Sequence, residues 1–178
     1  MNKVQKSKFI SLLLRHKPEV INLTLDNNGW ANVDELLDKL NKSGYDMNFN
    51  ELKEIVVTND KQRFTFNEDE TKIRANQGHS INVDLELKEE VPPDVLYHGT
   101  ATRFLDSILE KGLLKQSRNH VHLSSSKDTA LNVGKRYGTP VILIIDAKRM
   151  YRDGKKFYLS KNGVWLVDYV APEYIKRN

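Results

Sequence analysis

The sequence predicts an α+β fold in two lobes, an N-terminal lobe with the element order of a winged helix and a C-terminal lobe built on a mostly antiparallel sheet. Three observations carry this. Residues 1–75 read as three helices followed by a strand hairpin, and residues 95–170 as short strands with helices between them. Between the two lies "NVDLELKEEVPPD", residues 82–94, where an acidic run meets a Pro-Pro pair. The division is placed at 1–88 and 89–178.

In the first lobe, "KFISLLLRH" is a short apolar helix that Pro18 closes, because the residue before a proline is pushed out of the α region. "NVDELLDKLNKSG" puts Val33, Leu36, Leu37 and Leu40 on one face, with Asn32 and Glu35 spaced as a capping box and Gly44 as a C-terminal cap. "NFNELKEIV" repeats the device with Asn48 and Glu51, and "RFTFNEDETKIRA" reads as two strands joined by a polar turn. In the second lobe "VLYHGT", "HVHLS", "PVILIIDA", "KFYLS" and "GVWLVDYV" read as strands, and "TRFLDSILEKG" and "KDTALNVGKRYG" as helices.

The 178 residues, 39% hydrophobic, suit one domain or two small ones with a real core. The longest apolar run, "VILII", is far too short to cross a membrane, and no secretory leader precedes the first helix. With no cysteine there are no disulfides, thiol nucleophiles or thiolate metal sites. The expectation is a soluble, cytoplasmic protein. Charge is uneven: residues 1–90 hold 13 Lys and Arg against 16 Asp and Glu, whereas residues 91–178 hold 15 against 8. A positive field on the second half suits polyanionic ligands such as RNA or dinucleotides.

All five histidines sit in polar clusters, "LRHKP", "NQGHS", "YHGT" and "RNHVHLS". "HVH" could offer two imidazoles to zinc, but neither a cysteine nor an obvious third carboxylate ligand accompanies it, so no metal is expected. Arginines are more informative. Arg15 ends the first helix, Arg63 opens the hairpin and Arg118 precedes "HVH". Converging guanidinium forks would make a phosphate site, although each is equally readable as a solvated surface residue. "IRANQGHS", residues 73–80, is a run of donors with almost nothing apolar in it.

"SLLLRHKPE", "DNNGWANVDELL", "DKQRF", "IRANQGHS", "YHGT", "RNHVHLS", "VGKRYG" and "APEYI" occur in the order and approximate spacing of the RNA 2′-phosphotransferase family, NAD-dependent enzymes typified by tRNA 2′-phosphotransferase. The chain resembles that family along essentially its whole length. The resemblance implies a winged-helix-like lobe that binds the RNA phosphate, an ADP-ribosyltransferase-like lobe that binds NAD, and an active site in the cleft between them. The family's Arg-His-Arg-Arg set falls on Arg15, His16, Arg63 and Arg118. NAD would be held by His98, Gly99, Thr100, His122 and Ser124 and by the helix that follows. Arg74, Gln77, His79 and Ser80 would support the substrate phosphate. Tyr137 stands where many relatives are expected to carry His. Val164 falls near where protein-modifying ADP-ribosyltransferases carry a Glu.

The implied activity removes an internal 2′-phosphate from RNA in two steps. An ADP-ribosylated phosphate forms, and its collapse leaves 2′-OH RNA, nicotinamide and ADP-ribose 1″,2″-cyclic phosphate. A phosphate monoester, with a second pKa of about 6, is already mostly dianionic at neutral pH and needs no general base, so an apolar residue at Val164 is reasonable. The implied partners are 2′-phosphorylated RNA, as at a tRNA splice junction, and NAD as a consumed co-substrate, with no membrane and no obligate protein partner. Two alternatives stay open: an ADP-ribosyltransferase acting on nucleic-acid phosphate ends or protein, and a non-catalytic RNA-binding winged-helix protein.

Overall fold

The computed structural model describes residues 2–178, and the chain divides into two compact units, Met1–Glu86 and Leu87–Asn178. Each has its own hydrophobic core.

The first unit opens with α1 (Lys3–Arg15), α2 (Val33–Lys42) and α3 (Phe49–Thr58). Helix α1 begins five residues before the apolar run that announces it. The cause is a reciprocal cap: Asn2 accepts from the Gln5 backbone and the Gln5 side chain accepts from the Asn2 backbone, both at 2.9 Å. "KVQKS" has no apolar period, so only this pair could have revealed the turn. Asn32 and Asn48 cap α2 and α3 by accepting from the Glu35 and Glu51 amides. A 3-10 turn at Pro18–Ile21 follows α1, as Pro18 requires.

Strand β1 (Ala31–Asn32) precedes α2, and β2 (Phe64–Phe66) and β3 (Lys72–Ala75) form the expected hairpin. The sheet has order β1-β3-β2, one strand more than the hairpin. Two residues are too few to show alternation, which is why β1 is invisible in the sequence. Ile10, Leu13 and Leu14 of α1, Leu36 and Leu40 of α2, Leu52 and Ile55 of α3 and Ile73 of β3 share the first core.

The second unit is α+β with antiparallel sheets throughout. Its elements are β4 (Leu96–Ala101), α4 (Leu105–Lys111), β5 (Leu113–Leu114), β6 (Val121–Leu123), α5 (Lys127–Lys135), β7 (Pro140–Ile145), α6 (Ala147–Arg152), β8 (Tyr158–Leu159), β9 (Trp165–Val167), β10 (Tyr169–Val170) and β11 (Ile175–Arg177). Three strands lie in the order β11-β7-β4, three in the order β6-β9-β8, and β10 pairs with β5.

Two expectations are corrected here. "GVWLVDYV" is not one strand: it divides at exposed Asp168, β9 joining β6 and β8 while β10 joins β5. "PVILIIDA" ends as a strand at Ile145, and Asp146 then caps α6 by accepting from the Arg149 amide. Strand β11 was unreadable because "IKR" has no apolar alternation. It is defined by its long-range backbone pairing with β7, Ile175 opposite Ile145.

Helix α5 lies directly on β4. A Cβ on Gly99 would stand 1.6 Å from the Ala130 carbonyl oxygen, and one on Gly134 would stand 2.7 Å from that of Thr100. Glycine at both places is what permits this approach. Among the described residues no helix is long and apolar enough to cross a membrane.

Candidate active site

The donor-rich segment 76–80 is a clasp inside the first unit. Its Asn76 amide donates to the Arg63 carbonyl at 2.8 Å, and the Asn76 side chain donates to the Gln62 carbonyl at 2.6 Å. The Ser80 amide donates to the Arg15 carbonyl at 3.0 Å, and the Ser80 hydroxyl lies 2.8 Å from His16 Nδ1. One short loop thus ties the end of α1 to the start of β2, linking Arg15, His16 and Arg63 through its own bonds.

Gly78 explains how the clasp closes. Its φ is +90°, and a Cβ there would sit 3.3 Å from Cζ and Nε of Arg15, so the bare backbone lies against the guanidinium. Arg15 is consequently buried, at 8% exposure. His16 and Arg63 are half-buried, and Ser80 is exposed.

Gln77 and His79 point inward. His79 is 1% exposed, and neither of its ring nitrogens, nor Gln77 Oε1, has a hydrogen-bond partner among the described residues. Above His79 lies the 26–30 turn: a Cβ on Gly29 would be 3.5 Å from His79 Nε2. Burial, reinforced by the positive charges of Arg15, His16 and Arg74, pushes the His79 imidazole down to about 4. It is neutral at physiological pH.

Arg74 is engaged with that same turn. Its Nη1 donates to the Asn28 carbonyl at 3.2 Å, and its Cζ lies 4.3 Å from the centroid of the Trp30 ring. Burial lowers its pKa. Trp30 was not singled out in the sequence; an aromatic directly after "NNG" carries no signal until the register of β1 against β3 is known.

The second unit carries the other candidates. His98 in β4 bonds through Nδ1 to the His122 carbonyl at 2.9 Å; a carbonyl only accepts, so Nδ1 carries the proton and Nε2 the lone pair. Burial lowers the pKa of His98 and so favours the neutral ring, while the bond to the His122 carbonyl acts in the opposite direction. Arg118 Nη1 donates to His122 Nδ1 at 3.2 Å. Ser124 exchanges backbone bonds with Tyr97, at 2.7 and 2.8 Å, which fixes β6 beside β4. Gly99 and Thr100 are buried under α5. Val164 is half-buried in the turn just before β9, its amide donating to Ser160 Oγ at 3.0 Å. Among the described residues no group of three or more His, Asp or Glu is gathered as for a metal ion.

Residues 1–169 match the profile described as RNA 2′-phosphotransferase, Tpt1 / KptA family. The chain belongs to the RNA 2′-phosphotransferase family. Proteins named probable RNA 2′-phosphotransferase resemble it closely. One from Fusobacterium nucleatum is 57% identical over 98% of each chain. One from Flavobacterium johnsoniae is 56% identical over 96% of this chain and 93% of its own. One from Acaryochloris marina is 55% identical over 94% and 93%. As a member of the RNA 2′-phosphotransferase family, the chain is an enzyme of the transferase class.

Proposed function

We propose that this enzyme removes an internal 2′-phosphate from RNA, of the tRNA splice-junction type, consuming NAD. The first unit serves as a winged-helix-like phosphate-binding lobe and the second as an ADP-ribosyltransferase-like lobe that binds NAD. The observation that carries the reading is the clasp that links Arg15, His16 and Arg63 in a chain matching the family over residues 1–169.

In this reaction the RNA 2′-phosphate attacks the anomeric carbon of the nicotinamide ribose and displaces nicotinamide. The 2″-hydroxyl of that ribose then attacks phosphorus, the bond to the RNA 2′-oxygen breaks, and ADP-ribose 1″,2″-cyclic phosphate leaves. Guanidinium forks suit the second step, in which charge builds on equatorial phosphate oxygens that a rigid, permanently charged donor can meet. Arg15, Arg63 and Arg118 are assigned to that task. His16, its ring oriented by Ser80, hydrogen-bonds the phosphate or protonates the departing 2′-oxygen.

Gln77, His79 and Arg74 support this site from behind. His79 stays neutral beside Arg15, leaving the positive charge to the guanidinium.

The second unit's polar groups fit NAD. His98 presents a neutral imidazole whose tautomer leaves Nε2 as an acceptor suited to a ribose hydroxyl. His122, Gly99, Thr100 and Ser124 complete the proposed set. NAD supplies the electrophilic anomeric carbon; the chain's own task is to orient it and to hold water away.

Incubation with NAD and a 2′-phosphorylated oligonucleotide tests the reading by mass spectrometry. A transient gain of one ADP-ribosyl unit, followed by net loss of phosphate, is expected. Nicotinamide release should require the 2′-phosphate, because water is an unpositioned attacker with no carboxylate at Val164 to activate it. A stable adduct that keeps its phosphate would instead assign the protein to simple ADP-ribosyl transfer.

A further inference from the structure

The β4–β7 sheet ends in two exposed loops that carry none of the side chains named above for NAD or for the reacting phosphate. The strands pair as far as Ala101 opposite Pro140, and beyond them the Thr102 amide donates to the Thr139 carbonyl at 3.0 Å. Gly138 packs close by, a Cβ there standing 3.5 Å from that of Ala101. This brings the 102–104 turn beside the end of α5 and its loop, residues 135–139.

Two aromatic rings stand in solvent on these loops, Phe104 at 41% exposure and Tyr137 at 46%. Three exposed cations accompany them, Arg103, Lys135 and Arg136. The Arg103 guanidinium lies 4.6 Å from the centroid of the Phe104 ring. Among the described residues none of the three cations forms an ion pair with a carboxylate. Residues 129–145 contain no Asp or Glu, and Asp106 is the first carboxylate after Thr102 on the other loop. The buried face of α5 against β4 is made by Ala130 and Gly134, and Lys135, Arg136 and Tyr137 are exposed beyond it.

Uncompensated cations interleaved with exposed rings suit a single-stranded polyanion whose every unit has a π-face. Phosphates take the cations with release of counterions, and bases stack on the rings without regard to sequence. An acidic peptide would satisfy the charges and leave both rings idle.

We propose that Arg103, Phe104, Lys135, Arg136 and Tyr137 form a docking surface for the single-stranded RNA that flanks the 2′-phosphate. This rests on the phosphotransferase reading for its substrate, and it adds binding residues beyond those assigned to the reacting phosphate. It implies that a long RNA is held more tightly than a short one carrying the same phosphate.

The test uses the full chain and two double variants, Arg103→Ala with Arg136→Ala and Phe104→Ala with Tyr137→Ala, all exposed positions whose folding is checked by Tm. Binding of a fluorescent, unphosphorylated RNA of about twelve nucleotides is measured by anisotropy without NAD, across a salt series. Each double variant should weaken it about tenfold, and the arginine pair should lower the slope of log affinity against log salt by about 2. KM for a 2′-phosphorylated twelve-mer should rise similarly, while KM for a 2′-phosphorylated dinucleotide and for NAD stays level.

Unchanged anisotropy in both variants would overturn the surface even if phosphate removal proceeds normally. So would equal rises in KM for the long and short substrates, which would place these residues at the reacting phosphate. Capture of an acidic peptide through the same residues, with no RNA binding, would reassign the patch to a protein partner. RNA held through the patch by a protein that releases no phosphate would uphold the surface and defeat the phosphotransferase reading.

Discussion

Arg15 has a structural duty besides its proposed catalytic one, and substitutions at the site divide accordingly. His16→Ala, Arg63→Ala and Arg118→Ala should each remove most activity while shifting Tm little, since all three are at least partly exposed and a lost phosphate contact costs several kcal/mol of transition-state stabilisation. Arg15→Ala should remove activity and also lower Tm, because it empties a buried slot beneath Gly78. Near-normal turnover in two or more of the four would refute the assignment. His79 gives a separate, pH-resolved expectation. Its folded pKa of about 4 lies below the ordinary 6.5, so between those values the unfolded chain binds a proton that the folded chain excludes. Stability is therefore complete above about pH 6.5 and declines as pH falls toward 4, by up to roughly 3 kcal/mol from this residue. His79→Leu should flatten that part of the Tm profile and cost little at pH 7, since it removes two buried nitrogens without partners. An unchanged acid limb in calorimetry would show that other groups cause it.

At the scale of elements, the contact of α5 with β4 is the most sensitive joint. Gly99→Ala places a methyl inside the Ala130 carbonyl, which only displacement of the helix could relieve. The expected result is insoluble protein or a Tm lowered by ten degrees or more; a well-folded Gly99→Ala with Tm within two degrees would disprove this packing. What the sequence disclosed at this scale follows from the reach of each signal. Helices α2 and α3 announced themselves because apolar period and Asn cap occur within a dozen residues of each other. Strands β1, β5 and β11 are two or three residues long and owe their existence to partners far away in the chain, so no local pattern encodes them. The candidate site shows the same division. Arg15, His16 and Arg63 became candidates through the resemblance, from residues quoted in the sequence alone. That Gln77 and His79 turn inward, and that Gly78 serves Arg15, depended on tertiary contacts to α1 and to the 26–30 turn.

For the whole molecule, two separate cores mean that each unit has the means to fold alone. A fragment of residues 87–178 should bind NAD weakly, detected by calorimetry, and should not process RNA. Binding that followed the fragment of residues 1–86 instead would overturn the assignment of NAD to the second unit. The chain between the cores has a practical consequence. From Asn82 to Glu90 it contains no helix and almost no strand, and Asn82, Asp84, Glu86, Lys88, Glu89 and Glu90 are all exposed. A protease must draw several residues of extended backbone into its own cleft, and this is where the chain can yield them at the least loss of packing. Brief digestion with a glutamate-specific protease should therefore nick the native protein at Glu86, Glu89 or Glu90 before any bond within either core is cut, delivering both halves from a single preparation.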